Sequence, residues 1–249
     1  MIAAVRAEAL KLTGTRAPLV AAVAAVALSV GMAALLAYTA YIGEPMATGK
    51  AASGAALLGV PILMVPAALS ITDEYRSQMI RTSFLAVPNR ALVLAAKAVV
   101  AAAYSAVLAA VAGYASVLAA RAVARPKVAA GLDPTGADTV RTVAAIALVA
   151  ALAAALGVGA GALIRASSGA VAVVLLWPLV AETALGILPG VGAKVGPYLP
   201  FAGAWEFAGI TTLYSFRSAF GSLGGLGYFA VVAAALLAAG AITVTRGDA

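Results

Sequence analysis

The chain contains no cysteine and no histidine among its 249 residues. The absence of cysteine excludes disulfide bonds and thiolate metal sites. Histidine is the commonest general base and zinc ligand, so its absence excludes the usual zinc-enzyme and Ser–His or Cys–His mechanisms. Charged residues are also scarce, at 10% of the chain against about 25% in soluble domains. A fold with so little charge cannot cover its surface with polar groups, and we therefore expect its solvent to be lipid.

Apolar sequence makes up most of the chain. Hydrophobic residues account for 64% of it, and the mean hydropathy is +1.08. A helix needs roughly 20 apolar residues to cross a bilayer, and helices satisfy their own backbone hydrogen bonds there. Six segments reach this length, at 17–42, 51–71, 92–120, 142–164, 168–188 and 223–245. We therefore predict an all-α, polytopic integral membrane protein that forms a single transmembrane domain over 1–249.

The distribution of positive charge favours a cytoplasmic position for both termini. Six crossings place the two termini on one side, and this orientation puts nine Lys and Arg residues inside and seven outside. The loop 121–141 opposes this bias with four basic residues. The net charge of +7 fits basic loops that face anionic lipid, and we expect no nucleic-acid partner. The first apolar run exceeds the 7–15 residues typical of a signal peptide, so a retained span is favoured over a cleaved signal.

Two flanking segments are expected to lie at the membrane surface. Residues 1–16 carry apolar side chains at helical spacing, with Arg6, Glu8 and Lys11 between them. This pattern predicts an amphipathic helix on the inner leaflet, although basic residues before a first span also serve to set its orientation. Residues 189–222 are rich in proline and aromatics, and aromatics are enriched at bilayer interfaces. We expect short helices there, in a re-entrant loop of the outer leaflet.

The most polar part of the chain is 71–90, which follows the second apolar segment. Its apolar residues recur at helical spacing, at Tyr75, Met79, Ile80 and Phe84. Its charged residues occupy other positions, at Asp73, Glu74, Arg76 and Arg81. This pattern predicts a short amphipathic helix that Pro88 ends, with Asn89 as the N-cap of the next helix. An interfacial connector that only anchors the bilayer edge is the simpler interpretation.

Two ionisable residues fall inside apolar segments. Lys97 lies near the start of the third segment, where its long side chain can snorkel to the interface. Glu182 lies in the fifth segment, and a carboxylate at the bilayer centre costs about 2.5–3.5 kcal/mol. We expect Glu182 either to face a cavity or a partner, as in a proton relay, or to sit near the outer interface where water reaches it.

Glycines recur at spacings that let helices approach closely. Gly157 and Gly161 form one such pair in the fourth segment, and Gly221 and Gly225 form another near the sixth. Generic helix packing is the simplest interpretation of both pairs.

The chain lacks a nucleotide-binding motif. The segment 43–51 ends like a phosphate loop, but its spacing is wrong by one residue, and Ala51 replaces the Ser or Thr that would hold magnesium. We therefore expect that the chain is not an ATPase by itself and holds no cofactor.

Several motifs resemble the signature of ABC-2-type transporter permeases. The main ones are TDEYRSQMIRT at 72–82, LAVPNR at 85–90 and AAK at 95–97. Further stretches are similar to other landmarks of that family, namely RAEALKL at 6–12, LIRASSGA at 163–170 and YLP at 198–200. The resemblance extends over the whole chain, and the first stretch carries most of it.

This resemblance implies the membrane-spanning permease subunit of an ATP-binding cassette exporter in a bacterial cell membrane. Such a subunit works as a homodimer or heterodimer of permeases and pairs with a separate ATPase subunit, which carries the ATP and Mg. The segment 72–90 would then be the cytoplasmic coupling helix that docks on the ATPase. Its candidate coupling residues are Asp73, Glu74, Tyr75, Arg76, Arg81, Pro88 and Arg90. The apolar composition favours an amphipathic or apolar cargo such as a drug, a peptide or a lipid.

Two other classes of function remain open at the level of sequence. An ATP-independent transporter or channel would need charges along a membrane pathway, for which Glu182 is the clear candidate. A membrane sensor or immunity protein that sequesters an antimicrobial peptide is the other alternative.

Overall fold

The computed structural model describes residues 2–40, 44–87, 89–210 and 217–246. Within these residues the chain is all-helical, as predicted. The α-helices are α1 (Ile2–Thr13), α2 (Arg16–Tyr38), α3 (Thr48–Ala51), α4 (Val60–Arg76), α5 (Met79–Ala86), α6 (Arg90–Val123), α7 (Pro126–Ala129), α8 (Ala137–Ile164), α9 (Ser167–Leu176), α10 (Glu182–Ile187), α11 (Gly192–Val195), α12 (Pro200–Phe207) and α13 (Gly221–Arg246). A π-helical turn, Ala55–Gly59, leads directly into α4, and another, Trp177–Ala181, joins α9 to α10.

Six helices in the described part of the chain are long and apolar enough to cross a membrane, and they correspond to the six predicted segments. They are Arg16–Tyr38, Ala55–Arg76, Arg90–Val123, Ala137–Ile164, Ser167–Ile187 and Gly221–Arg246. The second helix continues five residues past the predicted end of its apolar segment at 71. It therefore carries the first six residues of the polar stretch, 71–76.

The second and fourth of these helices form the centre of the bundle. About two thirds of the apolar window of the second helix is buried (67%), and the fourth is buried to a similar extent (61%). The first, fifth and sixth are peripheral, with 17–22% of their windows buried. Their outward faces carry large apolar side chains such as Leu19, Val173 and Val231. These faces are suited to contact with lipid or with a second protein.

Glycine allows the close approach of α8 to α4. A Cβ atom on Gly161 would stand 2.6 Å from the carbonyl oxygen of Ala68, and one on Gly157 would stand 3.1 Å from that of Met64. The predicted pair is therefore a packing contact between two central helices. In the second pair Gly225 packs against the backbone of Gly203 in α12, whereas Gly221 has open space around its Cβ position.

The helix ends gather into two groups at opposite ends of the bundle. One end holds α1, the corner between α4 and α5, the start of α6, the corner between α8 and α9, and the end of α13. At the other end, the N–H of Met46 donates to the carbonyl oxygen of Val128, and Gly49 packs on Gly209. The short helices α3, α7 and α12 belong to this second end. The segment 189–210 contains α11, a 3-10 helix at Gly196–Tyr198 and α12.

The contact at Gly161 provides a test of this packing. We expect Gly161→Ala to lower the free energy of unfolding by about 1–3 kcal/mol, because the backbone of Ala68 occupies the space the methyl group needs. Gly31→Ala is the matched control, since nothing lies within 4 Å of its Cβ position and alanine favours a helix. Thermal unfolding of both variants in detergent is the measurement. Equal stability of the two variants would contradict the close packing of α8 on α4.

Candidate functional site

The polar stretch 71–90 folds as two helices rather than one. Helix α4 continues to Arg76, and the hydroxyl of Ser77 donates to the carbonyl oxygen of Asp73 at 2.7 Å. The chain then turns at Gln78, whose φ of 57° lies in the left-handed region, and α5 begins. The corner separates Tyr75 from the residues of α5, so the predicted single apolar stripe is wrong.

The individual residues of that stripe have different environments. Ile80 is buried, and Met79 is more than half exposed. The predicted N-cap at Asn89 is confirmed, because its side-chain oxygen accepts a hydrogen bond from the N–H of Leu92 at 3.1 Å. Pro88, and the side chains of Arg81 and Phe84, lie outside what the structure describes, so their predicted roles stay predictions.

A cluster of four charged side chains joins three helices beneath this corner. We call it the ion cluster, and its members are Glu8 and Lys11 of α1, Glu74 of α4 and Lys97 of α6. The Lys97 ammonium donates to Oε2 of Glu8 at 2.7 Å and to Oε1 of Glu74 at 2.6 Å. The Lys11 ammonium donates to Oε1 of Glu8 and to Oε1 of Glu74, both at 2.8 Å. Two carboxylates and two ammonium groups thus balance one another within one site.

Three of the four members of the ion cluster are buried, whereas the side chain of Lys11 is 39% exposed. The side chain of Lys97 is 1% exposed, and Glu8 and Glu74 are also buried. Lys97 has three N–H donors, and the third is used by the carbonyl oxygen of Ser70 at 2.9 Å. A buried charge is tolerated when it is paired and hydrogen-bonded in this way. The expectations that Lys97 snorkels to the interface and that Glu8 and Glu74 lie on polar outer faces are therefore wrong.

Helix α5 is tied to the same cluster through Ser83. Its hydroxyl donates to Oε2 of Glu74 at 3.2 Å and accepts from the Lys11 ammonium at 3.4 Å. The charges therefore connect α1, α4, α5 and α6 at one point.

A second polar network links the same end of the bundle to α13. The Arg165 guanidinium donates to the carbonyl oxygen of Thr243 at 2.9 Å, and Arg90 donates to that of Val244 at 3.2 Å. The last carbonyls of a helix lack partners within the helix and favour positive charge, so both arginines stabilise the end of α13. The Arg165 guanidinium also lies 5.2 Å from the centre of the Tyr75 ring.

Asp73 holds the corner between α8 and α9. Its Oδ1 accepts a hydrogen bond from the hydroxyl of Ser167 at 3.1 Å and lies 3.4 Å from the guanidinium of Arg76. The Arg76 side chain is 75% exposed, so this ion pair contributes little to stability.

The predicted coupling residues thus fall into three environments. Glu74 belongs to the ion cluster, whereas Asp73, Tyr75 and Arg90 belong to the network toward α9 and α13. Among the predicted coupling residues whose side chains are described, Arg76 is the most exposed, at 75%. Exposed side chains of the same stretch include Gln78, Met79 and Leu85, the last 84% exposed. We call these four side chains the α5 surface.

The sequence pattern missed Glu8, Lys97, Ser83 and Arg165 as members of these networks. A usable signal was present for two of them. Lys97 lies seven residues inside a helix that is otherwise apolar, so it needs an acidic partner. Glu8 is the acidic residue of α1 and was therefore a candidate for that partner.

Glu182 occupies the opposite end of the bundle and is completely buried. Its Oε1 accepts hydrogen bonds from the indole N–H of Trp177 at 3.0 Å and from the N–H of Phe201 at 3.2 Å. Its Oε2 accepts from the N–H of Ala202 at 3.1 Å. Glu182 therefore caps the first turn of α12, where backbone N–H groups lack partners and favour negative charge. The interpretation that water reaches this side chain is wrong, because these donors replace the water.

The ion cluster sets the protonation of Lys11, which lies outside the six long helices. Burial lowers the pKa of its ammonium, but the hydrogen bonds and charges of Glu74 and Glu8 outweigh burial and raise the pKa above its ordinary 10.5. Lys11 therefore stays charged throughout the neutral range, and the cluster stays balanced.

No protein-family model and no curated protein matches the sequence. The functional assignment therefore depends on the two networks, on the α5 surface and on the sequence motifs between 72 and 97.

Removal of the central cation tests the energetic role of the ion cluster. We expect Lys97→Met to lower the free energy of unfolding by about 3–5 kcal/mol, because it leaves Glu8 and Glu74 with Lys11 alone. Adding Glu8→Gln restores the charge balance, so the double variant loses less stability than the sum of the two single variants. Lys194→Met, which removes an exposed lysine, is the control. Denaturant titration in detergent gives the four values, and strictly additive losses would contradict the cluster.

The pKa of Lys11 predicts an alkaline release of α1. Because the folded-state pKa is raised, the stabilisation is complete below pH 10.5 and is lost as pH rises through the higher folded-state value. Lys11→Arg keeps its charge at this pH, so its release occurs at higher pH. The chain has no cysteine, so an environment-sensitive dye on Ala3→Cys reports α1 alone. Release of α1 at the same pH in both proteins would show that Lys11 does not hold the helix.

Proposed function

We propose that this chain is the permease subunit of an ATP-binding cassette exporter in a bacterial cell membrane, driven by a separate ATPase. Six helices of membrane-spanning length and composition, and the motifs between 72 and 97, support this proposal. Under this proposal the end of the bundle that carries α5 faces the cytoplasm, and α1 and Arg246 lie at that same end. ATP and Mg belong to the partner, and this chain needs no cofactor.

The observation that carries the proposal is that α5 is exposed to a partner and yet tied to the bundle. Ser83 joins α5 to Glu74, and Glu74 shares the ammonium groups of Lys11 and Lys97. A force on α5 therefore acts on α1, α4 and α6 together. This is the connection that a coupling helix requires, because a motor outside the membrane must move several spans as one body.

The α5 surface has the composition of a docking site for protein. Met79 and Leu85 offer exposed apolar side chains, and Arg76 adds an exposed guanidinium. Methionine and arginine are enriched at protein interfaces, and a few residues carry most of the binding energy. The matching surface on the ATPase would be an apolar groove with an acidic rim.

Under this proposal the candidate coupling residues have different roles. Arg76 touches the ATPase, whereas Glu74 transmits the movement from within the ion cluster. Asp73, Tyr75 and Arg90 pass the same movement to α9 and α13. Pro88 remains the proposed corner between α5 and α6.

Closure of the ATPase on ATP binding would displace α5 and tilt α4 and α6. The small residues between α4 and α8 would let these helices slide between inward-facing and outward-facing arrangements. The apolar outer faces of α2, α9 and α13 are available to lipid and to a second permease, identical or different. The rival hypothesis of an ATP-independent transporter loses its main residue, because Glu182 is engaged in capping α12.

Docking through the α5 surface is tested by co-purification with candidate stand-alone ATPase subunits from the same organism. We expect Leu85→Asp to weaken the complex about 30-fold, as for a central interface residue, and Arg76→Glu to weaken it about fivefold. Lys127→Glu, an equal charge reversal on an exposed residue at the opposite end, is the control. Affinity by pull-down titration and ATP-driven transport in proteoliposomes are the measurements. Retention of both by Leu85→Asp and Arg76→Glu would reject α5 as the docking site.

A further inference from the structure

A cavity of ≈ 340 Å³ lies beside the ion cluster. Its walls come from the turn between α1 and α2, from the second half of α4, from the start of α5 and from α6. Ligand sites in proteins typically enclose about 300–1,000 Å³, so this cavity has the size of a small binding site. Met79 of the α5 surface and Glu74 of the ion cluster line it, but the proposed docking function gives its interior no role.

The cavity changes from apolar to charged along α4. Pro66 and Leu69 line its deeper part together with Val100 of α6, whereas Asp73 and Ser77 line the part at the end of the bundle. Pro66 and Ser77 are eleven residues apart, which corresponds to about 16 Å along a helix. A molecule that fills the cavity must therefore be amphipathic, with its polar group at the α5 end.

The charges on the walls favour a cation at that end. Among the described side chains, three carboxylates and two ammonium groups line the cavity, so the charge of this described set is negative. Both ammonium groups are engaged by protein acceptors, since Lys11 donates to Glu8, Glu74 and Ser83, while Lys97 donates to Glu8, Glu74 and Ser70. The excess charge is negative and belongs to Asp73.

Asp73 is also the carboxylate that a ligand can reach. Its side chain is 44% exposed, whereas Glu8 and Glu74 are buried. Its protein cation is Arg76, which is largely in solvent and contributes little there. An organic cation in the cavity would meet Asp73 at the charged end, while its hydrocarbon groups would lie in the apolar part.

We propose that this cavity binds a lipophilic cation, with its charge at Asp73 and its hydrocarbon groups between Leu69 and Val100. A delocalised or quaternary cation fits best, because it gives up little hydration when it enters apolar surroundings. Under the proposed exporter function this cation is the cargo, taken up from the inner leaflet. That assignment of cargo depends on the proposed function, whereas the binding itself does not.

Binding of tetraphenylphosphonium to the purified full chain in nanodiscs tests the proposal without any ATPase. Ala17→Trp places a bulky ring at the exposed rim of the cavity, and Ala27→Trp places the same ring on an exposed site of α2 away from it. Both variants are measured in the same nanodiscs, so the amount of cation dissolved in the lipid is the same. The difference in bound cation between them therefore reports binding to the cavity. We expect Ala27→Trp to bind like the unmodified chain and Ala17→Trp to lose this binding.

The charge assignment needs a second comparison. We expect Asp73→Asn to weaken tetraphenylphosphonium binding about fivefold, as for a partly exposed ion pair. Asp138→Asn removes an equal charge from an exposed site at the other end and should have no effect. Tetraphenylborate has the same shape with opposite charge, and we expect it to show no difference between Ala17→Trp and Ala27→Trp.

The outcomes separate the possibilities. Equal binding of the cation by Ala17→Trp and Ala27→Trp would overturn the site. A difference between these variants for the borate as large as for the phosphonium, or full binding by Asp73→Asn, would overturn the preference for cations and leave a cavity for lipid chains. Cation binding together with a failure of ATPase docking would keep the cavity and reject the exporter function.

Discussion

The rest of the structure depends on one interaction, the ammonium group of Lys97 held between the carboxylates of Glu8 and Glu74. A lysine seven residues inside an apolar helix needs negative partners, because an unpaired buried charge is too costly. These partners come from α1 and from the last turn of α4. The pairing thereby orients α1, extends α4 to Arg76 and places the corner that starts α5.

This constraint divides the polar stretch between transmission and contact. Glu74 cannot be a docking residue in the ordinary sense, since its oxygens are used inside the bundle. Under the proposed function, contact with the ATPase would fall to exposed residues such as Arg76 and Leu85. A docking segment must be attached to the bundle and must also be exposed to its partner. Glu74 provides the attachment, and Arg76 and Leu85, on either side of the Gln78 corner, provide the exposed side chains. The cavity lies against the same charges, so under the proposed exporter function the cargo and the ATPase would act on one group of helices.

At the opposite end of the bundle, N–H dipoles stabilise a buried carboxylate, whereas ammonium groups do so in the ion cluster. Glu182 is buried like Glu74, but its partners are the indole of Trp177 and the first N–H groups of α12. The acid thereby holds a short helix against the bundle, next to the close contact between Gly203 and Gly225. Both ends therefore use a buried carboxylate to attach an accessory helix to the long helices, α1 at one end and α12 at the other.

The sequence by itself determined the elements that depend on local information. Hydropathy located six long helices, and Asn89 marked the start of α6, because a span and an N-cap each depend on neighbouring residues. The tertiary structure decided where the charges point. Glu8 and Lys97 are 89 residues apart, and Lys11 and Glu74 are 63 apart, so no periodicity along the chain can reveal that they meet. Helical spacing placed Glu8 and Glu74 on outer polar faces, and partners from other helices brought them inside.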